Sequence, residues 1–195
     1  MNTYISKHVN EREHYFFALQ PPLTARAVMV EQLDRVVREH GLDGRSVKFG
    51  DLHVALCGIG RTERLREPVL PALQRAARAV RAAAVDVGFD RLANLRLGGD
   101  HHALVLRGSS ATGSALRILR TMIGRAQHAH GLSRPAVSRF EAHVMLRHVT
   151  RPLAVEIALD TVAWQAQEFV LIRSVIGRGV HEIVERCPLE AENSL

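Results

Sequence analysis

Apolar residues along this chain fall into short strand-length runs separated by three longer stretches of helical spacing. Residues 15–19, Tyr-Phe-Phe-Ala-Leu, form a compact apolar run stopped by Pro21 and Pro22, the pattern of a buried strand. From 23 to 40 the apolar positions Val28, Leu33, Val36 and Val37 recur with helical spacing, Thr24 is a candidate N-cap, and Gly41 follows as a stop. A second helix is predicted over 68–84, rich in Ala, Leu and Arg, and a third over 114–130, closed by Gly131. Residues 85–97 are interrupted by Gly88, Asp90 and Asn94 and read as strand, loop and strand, followed by a strand at 102–106 and a loop at 108–113. Three strand-like runs close the chain at 153–159, 168–176 and 180–186, the last two forming a hairpin around Gly177-Arg-Gly179. The polar leader over 1–13 and the tail over 190–195 are expected to be loose.

Two of the strands each hold one histidine. Phe140-Glu-Ala-His-Val-Met-Leu-Arg147 and the weaker echo Gly50-Asp-Leu-His-Val-Ala-Leu56 both set an imidazole into an apolar run. Because alternate side chains of a strand share a face, His143, Met145 and Arg147 are expected to look one way, with Val144 and Leu146 in the core. His53 and Ala55 share a face in the same manner, opposite Val54 and Leu56. The order strand, helix, histidine strand occurs in each half of the chain, with His53 and His143 ninety positions apart. This predicts an α/β (α+β) fold over 1–195 as one bilobal domain. Two similar lobes carry antiparallel sheets that face a central cleft, with helices outside. Two imidazoles on rigid strands then meet across the cleft as a candidate acid–base pair.

Composition narrows the class of protein. The chain is 47% hydrophobic and 24% charged, ordinary for a globular protein. With 26 Lys+Arg against 20 Asp+Glu the formal net charge is +6, and a basic surface favours polyanions such as RNA and nucleotides. Cys57 and Cys187 stand at no metal-ligand spacing and form no disulfide framework, so a reducing cytoplasm is the expected location. No apolar run reaches the length of a membrane span and no signal core opens the chain, so no membrane association is expected.

Taken in order, these runs resemble the 2H phosphoesterases, and within them the RNA 2′,3′-cyclic phosphodiesterases, also called 2′-5′ RNA ligases. Tyr15-Phe-Phe-Ala-Leu-Gln-Pro-Pro22 resembles their opening strand. Leu52-His-Val-Ala-Leu56 and Phe140-Glu-Ala-His-Val-Met-Leu-Arg147 resemble their two His-x-Thr strands. The runs beginning at Phe169 and His181 are similar to the closing pair, so the likeness spans roughly 14–189. The resemblance implies metal-independent hydrolysis of a 2′,3′-cyclic phosphate on RNA or a nucleotide, giving a 2′-phosphate, with 2′-5′ ligation as the reverse reaction. It implies His53 as the acid that protonates the leaving ribose oxygen, His143 as the base that activates water, and Arg147 as the phosphate-binding cation. No cofactor, metal or protein partner is implied.

The chain departs from that pattern where the chemistry is sharpest. The family threonine, two residues after each histidine, donates its hydroxyl to a phosphate oxygen; here the positions are Ala55 and Met145, which have no donor to offer. Ala142 replaces the proline before the second histidine. Losing one aligned donor typically lowers a rate by about 10²–10³, which keeps open a non-catalytic RNA- or nucleotide-binding relic of the same fold, or Ser174 as a substitute donor. His148-Val-Thr150 is a literal His-x-Thr, but strict alternation puts His148 on the face opposite His143. Adjacent His101 and His102 point opposite ways and form no metal pair. The Gly108–Gly113 stretch lacks the Gly-Lys-Ser/Thr ending of a phosphate loop, and Arg75, Arg78 and Arg81 read as a solvated helix face.

Overall fold

The computed structural model describes residues 13–58, 69–132, 140–175 and 180–190. Within them lie nine strands and three α-helices in a mixed α+β architecture. The strands are β1 (Glu13–Leu19), β2 (Arg45–Ser46), β3 (Val54–Gly58), β4 (Val85–Gly98), β5 (His101–Gly108), β6 (His143–Val149), β7 (Ile157–Ala166), β8 (Glu168–Val175) and β9 (Val180–Pro188). The helices are α1 (Leu23–His40), α2 (Val69–Ala79) and α3 (Ser110–Ala129). The strands run β7-β4-β5-β6-β3-β1-β8-β9, every described pairing antiparallel, with β2 added to β6. The order divides into two halves, β7-β4-β5-β6 and β3-β1-β8-β9. They meet at β6 and β3 through one register pair, Val54 with Val144.

Alternation along the strands decides which sheet face is core. Tyr15, Phe17 and Leu19 of β1 join Val54 and Leu56 of β3, Leu104 and Leu106 of β5, and Val144 and Leu146 of β6 in one cluster. That cluster also takes the buried faces of the helices: Met29, Leu33 and Val36 of α1, Leu73 and Ala77 of α2, and Leu116, Leu119 and Ile123 of α3. The other sheet face carries two smaller apolar patches. One is Phe16, Ala18, Val170 and Ile172; the second is Ala93, Ala103 and Val105, with Leu95 and Met145 packed against it. One face is therefore roofed by helices, and the other has only small apolar patches between polar positions.

Several sequence expectations need correction. Helix α1 has the expected bounds and Gly41 closes it in the left-handed conformation (φ 58°), but Pro22 is its N-cap and Thr24 lies inside the first turn. Pro fits a helix entrance because its missing N–H would have no partner there. Strand β4 is continuous where a break was expected: its register shifts between Phe89 and Arg91, so a bulge absorbs Asp90 and the strand resumes. The expected loop at 108–113 is mostly the first turn of α3. Ser109 caps that helix by accepting from the Thr112 N–H at 3.2 Å. Glu190 is not loose either, since it forms a parallel bridge with Ala83. The remainder of the leader and tail expectations, and the turn around Gly177-Arg-Gly179, lie outside the described residues.

Thr112 shows how a polar side chain can fix the packing of α3 on the sheet. Buried to 2% exposure, its hydroxyl accepts from the Gly88 N–H at 2.7 Å and donates to the Gly88 carbonyl at 3.0 Å. Thr112→Val keeps the shape and takes the acceptor from the Gly88 N–H, while the Gly88 carbonyl still accepts from the Ser109 N–H at 3.0 Å; a buried polar group left without a partner costs about 1–3 kcal/mol. The variant is expected to lose about that much unfolding free energy in a denaturant titration.

Candidate active site

The two histidine strands share a device that strict alternation hides. Opposite β1, β3 carries one extra residue: Cys57 pairs with Phe17 and Ala55 with Ala18, so Leu56 is passed over. Opposite β5, β6 does the same: Arg147 pairs with Leu104 and Met145 with Val105, so Leu146 is passed over. Each bulge falls three residues after its histidine. An extra residue reverses the facing of everything beyond it. The positions that line the cavity are accordingly His53, Ala55 and Gly58 on one strand, and His143, Met145 and His148 on the other. The two sets match pairwise at a separation of ninety residues.

These six residues border a cavity of about 520 Å³ on the sheet face away from the helices. His53 and His143, predicted from sequence as a pair, both line it, as do Ala55 and Met145. Each imidazole is held the same way. His53 Nδ1 lies 2.7 Å from the Asp51 carbonyl oxygen, and His143 Nδ1 lies 2.8 Å from that of Glu141. A carbonyl only accepts, so both Nδ1 atoms carry the proton and donate it, and the tautomer is fixed. Nε2 of each ring is left as the atom for proton exchange with a ligand.

The two rings differ in their surroundings. His53 leans on Phe16 (ring centroids 5.0 Å apart) and meets His181 edge to face at 5.5 Å. Its pKa is lowered from 6.5, first by burial and then by the positive ends of His181 and His143, against the opposing pull of the Asp51 carbonyl. At neutral pH the neutral form of His53 is favoured.

Further liners come from the opening strand and the closing pair, where Ser174 was the expected substitute donor and His14 and His181 carried no assigned role. His14 of β1, Ser174 of β8 and His181 of β9 pair in one row across three strands and reach the cavity together. His14 stacks on Phe16 at 5.7 Å, and its Nε2 would sit 3.3 Å from a Cβ at Gly58, so the glycine leaves room for this ring. Arg45 and Lys48, from the segment after α1, also border the cavity. The sequence did hold one signal for the missed bulges: the core positions Val144, Leu146 and Val149 step by two and then by three.

Arg147 and His148 are the corrections. The bulge at Leu146 places Arg147 beside Leu104, on the helix side of the sheet, and Arg147 is absent from the cavity lining. Its Nε donates to the Asp43 carbonyl at 3.0 Å and its Nη1 to Ser46 Oγ at 2.8 Å. His148, expected to face away, lines the cavity instead. The hydroxyl of the literal motif, Thr150, donates to the Asp43 carboxylate at 2.8–2.9 Å and holds it below the usual carboxylate range. Among the described residues no cluster of His, Cys, Asp or Glu is arranged to hold a metal ion, and no helix is long and apolar enough to cross a membrane. Burial pushes the Cys57 thiol up to about 12 and Cys187 to about 11, which leaves both protonated at neutral pH.

A histidine whose folded pKa lies below its unfolded value binds its proton more tightly in the unfolded chain. The stability that His53 contributes is present above about 6.5 and is lost as pH falls from there through its lower folded pKa. Between pH 7.5 and 5.5 the unfolding free energy of the native protein is expected to fall more than that of His53→Gln, measured by denaturant titration at each pH.

No protein-family model and no curated protein matches the sequence. Solved structures do match. A phosphoesterase crystal structure is 19% identical, with 92% of this chain aligned to 99% of that one and a TM-score of 0.69. Escherichia coli LigT, complexed with 3′-AMP, is 22% identical over 91% of this chain and 98% of its own, with a TM-score of 0.69. A Thermus thermophilus protein is 20% identical over 92% and 99%, with a TM-score of 0.68. Antiparallel halves joined at their histidine strands, with helices on the outer face, give this chain the two-lobed fold of the 2H phosphoesterases.

Proposed function

We propose that this protein is a metal-independent phosphodiesterase that opens a 2′,3′-cyclic phosphate on RNA or a nucleotide, with His53 and His143 as its acid–base pair. The observation that carries this reading is the matched restraint of the two rings: each has Nδ1 tied to the carbonyl two residues earlier, and Nε2 available at one shared cavity. Structures of Escherichia coli LigT hold 3′-AMP, NADP+, ATP and phosphate, which supports a nucleotide in a cavity of this fold.

In this reaction water attacks phosphorus while His143 Nε2 removes its proton. The bond from phosphorus to O3′ breaks, His53 Nε2 protonates the departing oxygen, and the product carries a 2′-phosphate and a 3′-hydroxyl. Run backwards, the 3′-hydroxyl attacks the 2′-phosphate, water leaves and the cyclic phosphate re-forms; with a 5′-hydroxyl in place of water as the attacking group, the same opening of the P–O3′ bond leaves a 2′-5′ linkage. Ala55 and Met145 supply no hydroxyl, so charge developing on the phosphate falls to Ser174 and the further imidazoles of the cavity. As the acid, His53 must be protonated, and its lowered pKa makes that form a minority at neutral pH.

The assay is turnover of an oligonucleotide ending in a 2′,3′-cyclic phosphate, in EDTA. Loss of about 10²–10⁴ in kcat is expected for His53→Ala and for His143→Ala. Turnover indifferent to either change rejects the reading. For the native enzyme kcat/KM is expected to rise as pH falls from 8 toward 6, as protonated His53 accumulates. A rise in the opposite direction would give His53 the role of base. Ala55→Thr returns a hydroxyl to its position and is expected to raise kcat, by up to about 10²-fold.

One observation favours a second reading. Met145 packs with Ala93, Ala103 and Val105, so that position belongs to an apolar patch in which a donor is absent. A non-catalytic nucleotide-binding protein would show salt-sensitive binding and no turnover of the same oligonucleotide.

A further inference from the structure

We propose that Arg147 is a positioning residue that holds a second anion subsite, built from Arg45, Lys48 and His148, at the end of the cavity away from His143. The proposal rests on the nucleotide-binding reading above, and concerns a charged group of the ligand other than the phosphate between His53 and His143.

The segment 43–48 reaches the cavity from the end of α1 and is fastened to β6 throughout its length. Arg147 donates to the Asp43 carbonyl and to Ser46 Oγ. Thr150 donates to the Asp43 carboxylate. The Val47 N–H donates to the Leu146 carbonyl at 2.8 Å, and Arg45 and Ser46 pair in register with His148 and Arg147. Gly44 (φ 107°) passes so close that a Cβ there would lie 1.9 Å from the His148 carbonyl oxygen. Only glycine permits both that backbone conformation and that approach.

All these ties lie at or beyond the bulge. The extra residue Leu146 turns Arg147 out of the cavity toward the segment and turns His148 into it. Arg45, the register partner of His148, and Lys48 line the same cavity. The cations at this end are therefore carried on a segment whose place is set by a guanidinium that does not itself reach the cavity. Five residue steps separate His143 from His148, about 16 Å along an extended strand. We place an anion met by Arg45 and His148 about two nucleotides from one at the histidine pair, with Lys48 reaching it from the segment's course back toward Met145.

Calorimetric titration with the dinucleotides ApAp and pApAp, which differ by one 5′-phosphate, measures the subsite without requiring turnover. For the native protein pApAp is expected to bind about tenfold tighter at low salt. In Arg45→Ala/Lys48→Ala that margin is expected to vanish while ApAp binds as before. In Arg147→Ala and in Thr150→Val the margin shrinks, and hydrogen exchange at the Val47 amide quickens. Equal binding of the two dinucleotides by the native protein, or binding of neither, overturns the subsite. If Arg147→Ala weakens ApAp and pApAp equally and leaves Val47 exchange unchanged, Arg147 contacts the primary phosphate and the positioning role is wrong. Failure of the phosphodiesterase reading shows up separately, as a preserved pApAp margin with no turnover of the cyclic phosphate.

Discussion

One backbone pairing, Val54 with Val144, joins the two halves of the sheet, and the candidate site depends on it. The antiparallel register continued by one residue either way sets His53 across from Met145 and His143 across from Ala55. Four cavity-lining positions thus occupy the corners of a small square on the sheet face without helices, with the two imidazoles on one diagonal. The two valines are fully buried beneath that square. A slip of one residue at this junction would exchange the faces of a whole strand, setting valine toward the cavity and histidine into the apolar core. Burial of Val54, Leu56, Val144 and Leu146 therefore places the rings as firmly as any contact the rings themselves make.

Matched bulges and matched histidine restraints give the halves a common plan, but not a common chemistry. One half presents His53 beneath a roof of Phe16, His14 and His181, where burial opposes a charge on the ring. In the other, His143 stands with Met145 and His148, beside the cations at 45 and 48. Gly58 and His148 are equivalent positions, and the ring of His14 occupies the space that the missing side chain at 58 leaves open. Two-fold repetition supplies the frame, and differences at equivalent positions polarise it. One wall is aromatic and disfavours charge, and the facing one is cationic.

Much of this was legible in the chain. The opening strand, the bounds of α1, the closing hairpin partners and the two histidine strands followed from apolar spacing and turn residues, because those signals are local. What escaped notice came from pairing between distant strands. Neither glycine nor proline adjoins Leu56 or Leu146, and the step from two to three among Val144, Leu146 and Val149 is the one mark of the β6 bulge, so strict alternation misassigned Arg147 and His148. His14 borders the expected leader, and His181 lies just beyond a hairpin turn. Neither could be placed until β1, β8 and β9 were aligned in one row. The break expected in β4 failed for a related reason, since a strand can absorb Asp90 as a bulge where local polarity reads as a loop.

The bulge in β6 also decides which side chain this wall presents. Removing Leu146 would restore an unbroken ladder with β5, with Arg147 still opposite Leu104 and Met145 still opposite Val105. Arg147 would keep the helix side of the sheet and His148 the cavity. A regular strand of unchanged length would do the opposite, since strict alternation from Met145 carries Arg147 into the cavity and turns His148 out. One unpaired residue thus selects an imidazole over a guanidinium as the third side chain of this wall, and an alignment of residue identities alone does not reveal which of the two is presented.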